Sequence, residues 1–180
     1  QYELMTLAMR EAGKTYQDAT DEVREAVDFL RYYANLSREV MPGQREARGV
    51  FVCISPWNFP MNLALAPLAG IIAAGNRVMH KPSELTPATS DLLKLMIEEY
   101  FDEAEMAVFV GDAEVGAAFS SLAFDHLIFT GGTSIAKHVM KAASENLVPL
   151  TLELGGKSPV VVGKDAKIKD TAQRVMQGKT

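Results

Sequence analysis

Between Ala19 and Ala34 apolar residues return at Ala19, Val23, Val27, Leu30 and Ala34, while Asp21, Arg24, Glu25, Asp28 and Arg31 fall largely elsewhere. That spacing predicts one amphipathic helix. Thr20 and Asp21 offer caps for a late start, and Pro42-Gly43 is expected to end whatever follows. Beyond Pro42 the pattern changes to short runs that are apolar on both faces: Val50 to Ile54, Arg77 to His80, Met106 to Val110, His126 to Phe129, Leu150 to Leu154 and Pro159 to Val162. Such runs suit strands buried within a parallel sheet. Helix-length segments separate them, from Met61 to Ala74, Pro87 to Tyr100, Glu114 to Leu122 and Ser134 to Glu145, and another helical pattern runs from Ile168 to Met176. Strand alternating with helix predicts a doubly wound, mostly parallel α/β sheet of Rossmann-like type. In that architecture ligands collect beyond the carboxyl ends of the strands.

The loops at those ends carry the candidate chemistry. After Val50 to Ile54 comes Ser55-Pro56-Trp57-Asn58-Phe59-Pro60, where two prolines fix a turn. The Asn58 amide can donate to a developing oxyanion; alternatively Trp57 packs as core and Asn58 caps the next helix. In His80-Lys81-Pro82-Ser83-Glu84 the Glu84 carboxylate suits the ribose hydroxyls of a dinucleotide, or is a solvated charge at a helix start. Phe129-Thr130-Gly131-Gly132-Thr133-Ser134 runs a strand into two glycines, whose backbone can approach a pyrophosphate closely, or forms an ordinary capped turn. It is neither a GxGxxG fingerprint nor a Walker A loop. In Leu152-Glu153-Leu154-Gly155-Gly156-Lys157, Glu153 is a general base, or it pairs with Lys157 or faces water from a sheet edge.

Composition narrows the ligand. The net charge of −5 is spread without a basic stripe, which argues against nucleic acid. The longest apolar stretch, Leu63 to Ala74, is interrupted by Pro67 and Gly70 and is too short to span a bilayer. A single cysteine, Cys53, excludes an internal disulfide and a multi-cysteine metal site, and suggests a reducing, cytoplasmic setting. His80, His126 and His138 lack ligand spacing, so no metal is expected.

Taken together and in order, PWNFP, KPSELTP, FTGGT and LELGGKSP resemble the catalytic-asparagine, adenosine-ribose, cofactor-loop and general-base motifs of the aldehyde dehydrogenase superfamily, across residues 45–180. The resemblance implies NAD-dependent oxidation of an aldehyde to a carboxylic acid through a thiohemiacetal and a thioester. Asn58 would hold the oxyanion and Glu153 would activate the deacylating water. Lys81 and Glu84, with Ser83 between them, would hold the adenosine ribose, and the Glu84 carboxylate would make NADP the less favoured coenzyme. Ser55, Pro56 and Trp57 would line the cofactor cleft. Phe129, Thr130, Gly131, Gly132 and Thr133 would border the pyrophosphate and nicotinamide, Ile135 would contact the adenine, Leu154 and Gly155 would lie beside the nicotinamide, and Gly116 joins the cofactor set. Many family members carry Ser where this chain has Gly132, and a glycine is frequent at the position of Ala136.

PLAGIIAAGN and ENLVPLTLELGGKSP resemble the class-three branch, especially coniferyl-type enzymes, whereas EAGKT followed by EVREAVDFLRYYA is more like the proline-catabolic glutamate-semialdehyde dehydrogenases. Three segments are expected: a helical one over 1–44, the NAD-binding domain over 45–156, and the start of a catalytic domain over 157–180. The family's cysteine nucleophile lies beyond LELGGKSP, so residues 1–180 are expected to bind NAD weakly and turn nothing over alone. Cys53, inside a strand, reads as a core residue. Association into homodimers or homotetramers is carried by the resemblance. A non-catalytic NAD-binding or structural protein of the same fold is the competing expectation.

Overall fold

The computed structural model describes residues 1–40 and 46–178. A hairpin of α1 (Tyr2–Glu11) and α2 (Tyr16–Val40) precedes β1 (Val50–Ile54), α3 (Asn62–Ala73), β2 (Arg77–Lys81), α4 (Pro87–Tyr100), β3 (Met106–Val108), α5 (Ala113–Ser120), β4 (His126–Gly131), α6 (Thr133–Ser144), β5 (Leu150–Leu154) and α7 (Ile168–Gln177). The strands form one sheet in the order β3-β2-β1-β4-β5, and every adjacent pair is parallel. This is the Rossmann-like arrangement expected from alternating strand and helix. The order reverses between β1 and β4, which opens a crevice at their carboxyl ends.

The period-two geometry of β1 divides its side chains between two cores. Val52 and Ile54 join Phe119, Leu127, Phe129, Ala136 and Val139 beneath α5 and α6. Cys53 faces the other way, with Leu68, Ile71, Val78 and Ile97 beneath α3 and α4. A third cluster, Met5, Ala8, Ala19, Val23 and Met61, docks the helical hairpin onto the start of α3. Further along, a Cβ on Gly70 would lie 3.2 Å from the Tyr33 ring, so the absent side chain lets α2 cross α3 closely.

Several boundaries differ from expectation for identifiable reasons. The first amphipathic helix starts at Tyr16 rather than near Ala19, because Thr15 caps it: Thr15 Oγ1 accepts from Asp18 N at 3.2 Å and donates to Asp18 Oδ2. Thr20 is interior and donates back to the Tyr16 carbonyl. The buried stripe of α2 holds Ala19, Glu22, Val23 and Ala26, and leaves Leu30 exposed. Helix α1 buries only Met5 and Ala8, too few positions to show a period. The run Pro159 to Val162 is not a strand, and its valines are exposed. An apolar run becomes a strand only where a neighbour supplies backbone partners, and among the described residues none does. The Pro42-Gly43 turn and the boundary at 44 lie outside the described residues.

Leu127 is central to the α5/α6 core and 1% exposed. Leu127→Ala is expected to lower unfolding stability by about 2–5 kcal/mol, the range for leucine truncation in packed cores. Urea denaturation measures this, and a loss below about 1 kcal/mol would contradict the packing described.

Candidate functional site

The sheet register brings the loop-bearing strand ends to one level. Ile54 pairs with Lys81 on one side and Phe129 on the other, while Thr130 and Gly131 pair with Glu153 and Leu154. Beyond these ends lies a cleft of about 780 Å³. Pro56, Trp57 and Asn58 form one wall, Thr130, Gly131, Gly132 and Thr133 the second, and Glu153, Leu154 and Gly155 the third. Leu63, Gly156 and Lys157 complete it. Leu63 is outside the four motifs, whereas Gly156 and Lys157 lie within LELGGKSP, the motif containing Glu153.

Asn58 and Trp57 do not take the structural roles that were their alternative. Trp57 is 46% exposed, and Met61, not Asn58, occupies the N-cap position of α3. The first N–H groups of α3 are served from a distance: Glu22 Oε1 accepts from Met61 N at 2.9 Å and from Asn62 N at 3.3 Å. Asn58 therefore stands exposed on the cleft wall with its amide not used as a cap. Ser55, just upstream, is buried, with its N–H donating to the Lys81 carbonyl at 3.2 Å. Its hydroxyl faces His80 Nε2 at 3.5 Å, while Nδ1–H of the same ring donates to the Cys53 carbonyl at 3.2 Å. Burial holds His80 neutral, with its pKa lowered to about 4.

The second loop is set back from the cleft lining. Lys81 is buried, and its ammonium meets Glu84 Oε2 at 2.5 Å. That hydrogen bond is the main reason the Glu84 carboxyl lies below its ordinary pKa. The Glu84 side chain keeps 40% of its surface exposed, so it remains open to a ligand. A Cβ on Gly116 would lie 3.9 Å from Lys81 Cε, which places the start of α5 over the lysine stem. Ser83 is buried, and its Oγ accepts from Leu85 N at 3.2 Å.

In the third loop, Phe129 departs from its expected place: it is buried in the core and does not line the cleft. Its ring lies beneath the backbone of Gly131, where a Cβ would come within 2.7 Å of Phe129 Cζ. Ile135 is exposed on the first turn of α6, also outside the lining. The start of α6 has features that fit a dinucleotide phosphate. Gly132 occupies the N-cap position and no side chain among the described residues caps the helix, whereas Asp112 caps α5 by accepting from Glu114 N and Val115 N. Uncapped N–H groups at the positive end of a helix favour a phosphate. Around Gly132, Gly155 and Gly156 the space is open, so a ligand can approach the backbone. Glu153 sits on β5, which borders the sheet, and its carboxylate is exposed to the cleft, so it has the edge position that was the alternative to burial.

Asn58 also borders a second cavity of about 630 Å³, formed with Phe59 and the α1–α2 hairpin, including Lys14, Glu22 and Glu25. Cys53 opens onto neither cavity: it is 1% exposed, and burial pushes its thiol up to about 12. Among the described residues, no group of three or more His, Cys, Asp or Glu side chains could hold a metal ion, and no helix is long and apolar enough to cross a membrane.

A Rossmann-like sheet with a glycine-bordered, open helix start at its switch point defines a dinucleotide-binding type of architecture. The chain belongs to the aldehyde dehydrogenase family, whose sequence profile matches residues 1–180. It is 67% identical over 137 residues to a probable coniferyl aldehyde dehydrogenase of Caulobacter vibrioides, covering 76% of this chain and 28% of that protein. It is 66% identical over 132 residues to the coniferyl aldehyde dehydrogenase of Pseudomonas sp. strain HR199, covering 73% of this chain and 27% of that one. The chain thus spans less than a third of the length of these curated relatives. Among solved structures, a substrate-bound Staphylococcus aureus AldH superposes with TM-score 0.90 at 34% identity, over 99% of this chain and 43% of that one. A bifunctional proline utilization A protein superposes with TM-score 0.76 at 37% identity, over 85% of this chain and 18% of the other. A betaine aldehyde dehydrogenase of Staphylococcus aureus in complex with NAD+ superposes with TM-score 0.87 at 29% identity, over 97% of this chain and 38% of that one.

The neutral state of His80 gives stability a pH dependence. With a folded pKa of about 4 against an ordinary 6.5, the unfolded chain binds more protons between these values. The contribution of His80 is therefore complete above pH 6.5 and is lost as pH falls towards 4, by roughly 3 kcal/mol in all. The difference between the stability–pH curves of the wild type and His80→Gln isolates it from the carboxylates. A difference that stays constant across that window would contradict the assignment.

Proposed function

We propose that the protein carrying this chain oxidises an aldehyde to a carboxylic acid with NAD, and that residues 1–180 contribute the cofactor cleft, the oxyanion donor and the deacylating base. The observation that carries the reading is the meeting of Asn58, Glu153 and the uncapped start of α6 around one cleft, from three separate stretches of sequence.

NAD, when bound, supplies the two-electron acceptor. On this reading Gly131, Gly132 and Thr133 hold its pyrophosphate through backbone amides at the start of α6. Lys81 and Glu84, oriented by their own ion pair, receive the adenosine ribose beside Ser83 and Gly116, and Ile135 flanks the adenine. The Glu84 carboxylate disfavours a 2′-phosphate, so NAD is preferred over NADP. Ser55, Pro56 and Trp57 form the wall of β1, with Leu154 and Gly155 opposite. Phe129 supports Gly131 from below, and Thr130 borders the cleft above it.

The aldehyde reaches Asn58 from the second cavity, because that residue lies on both walls. Cys53 cannot serve as nucleophile from the core, so the thiolate comes from outside residues 1–180. The Asn58 amide donates to the oxyanion formed by that attack. Glu153 then accepts a proton from the water that hydrolyses the thioester. The names of the Caulobacter and Pseudomonas relatives favour a coniferyl-type aromatic aldehyde as substrate.

The two roles separate kinetically in the intact protein with coniferyl aldehyde and NAD+. Asn58→Ala is expected to reduce kcat by about 10²–10³-fold, as loss of one oxyanion donor does. Glu153→Gln should retain a burst of about one NADH per site followed by slow turnover, since the hydride transfer that forms the thioester precedes its step. Rapid-mixing absorbance resolves both phases. Wild-type steady-state rates in either variant would refute the assignment.

A further inference from the structure

The α1–α2 hairpin is joined to the turn that carries Asn58 by a set of charged side chains that border the second cavity but take no chemical step in the reaction described above. Glu22 is 1% exposed, and its Oε1 accepts from both Met61 N and Asn62 N. Its other oxygen lies 3.1 Å from Lys14 Nζ, an ion-pair contact without hydrogen-bond angles. Lys14 is itself nearly buried, and its ammonium sits 3.4 Å from the centre of the Phe59 ring. One turn further along α2, Glu25 Oε2 accepts from Asn62 Nδ2 at 2.5 Å. Lys14, Glu22 and Glu25 thus grip residues 59–62 from one side, immediately after Asn58.

We infer that Glu22 is a positioning residue for the oxyanion donor. Between Ser55 and Asn62 the chain has no regular secondary structure, so the Asn58 amide depends on how the two ends of this loop are held. β1 holds the upstream end, through Ser55 N on the Lys81 carbonyl. The downstream end is held by Glu22, whose charge at the positive start of α3 gives two charge-assisted hydrogen bonds at a buried position. Glu22 does not line the first cleft, and it acts by fixing the turn.

A purely structural cap would predict something different from a positioning residue. Loss of a cap lowers stability but leaves catalysis per folded molecule intact. Loss of a positioning contact displaces the Asn58 donor, and displacement on the order of 1 Å costs up to about a hundredfold in rate.

The inference rests on the function proposed above, and a double-mutant cycle in the intact protein separates the two. Glu22→Ala is expected to lower kcat by about ten- to a hundredfold, with NAD affinity unchanged by calorimetry. Glu22→Gln, which keeps the accepting oxygen and the side-chain volume, should lose only several-fold, because its hydrogen bonds are neutral. Both losses should vanish in an Asn58→Ala background, since the donor being positioned is gone. Glu22→Gln preserves shape, so the cycle can be closed with it if Glu22→Ala does not fold. Equal losses in both backgrounds, or an unchanged kcat in a folded Glu22→Ala protein, overturn the positioning role alone. If Asn58→Ala itself leaves kcat unchanged, the oxyanion assignment fails and the positioning role falls with it.

Discussion

The first N–H groups of a helix have no partners within the helix, and the way four helices meet that need organises this molecule. Glu22 serves α3, Glu11 serves α4 by accepting from Ala88 N and Thr89 N, and Asp112 serves α5. Among the described residues no side chain caps α6, nor the outlying α1 and α7, and of these starts the one at Gly132 and Thr133 opens into the cleft at the switch point. Three helix starts are closed by carboxylates and the fourth is left for a ligand of the same sign. An anionic cofactor would take the place there that a side chain holds elsewhere.

Two of those carboxylates come from the hairpin rather than from the sheet domain. Glu11 ends α1 and Glu22 lies in the second turn of α2, so the segment containing EAGKT is tied to both α3 and α4. Three further residues of that segment have physical tasks. Gly13 takes a positive φ of 68°, Lys14 links Glu22 to Phe59, and Thr15 caps α2. The hairpin therefore reaches the start of α4, just after the Lys81–Glu84 loop, and the start of α3, just after Asn58. The hairpin joins the sheet domain at an interface built from carboxylate caps, an ion pair and a small apolar cluster.

Much of the fold was legible because hydrophobic period reports burial: β1, α4 and β5 fall where the pattern puts them, and the parallel sheet follows from alternation. Pattern failed where partners decide. Pro159 to Val162 has the composition of a strand but no neighbour among the described residues, and α1 buries too little to be periodic. At the site, four motifs identified the strand ends, but their local alternatives needed long-range contacts to resolve. Whether Asn58 is a cap depends on an acceptor at Glu22, 39 residues before Met61. One signal was present in the chain: Glu22 falls in the same stripe as Ala19, Val23 and Ala26, and a carboxylate on a buried helix face requires a partner. Membership of FTGGT makes Phe129 an expected cofactor contact, whereas strand alternation turns its ring into the core beneath Gly131.

On the proposed function, loops distant in sequence form a single dinucleotide cleft around the open start of α6. Hydrogen–deuterium exchange of the intact protein, with and without NAD+, addresses it directly. Slowed exchange is expected together in peptides covering residues 55–58, 81–84, 131–136 and 153–156, with the largest effect at the start of α6, where amides lack a capping acceptor. Slowing confined to other surfaces, or absent from 131–136 at saturating NAD+, would contradict the account.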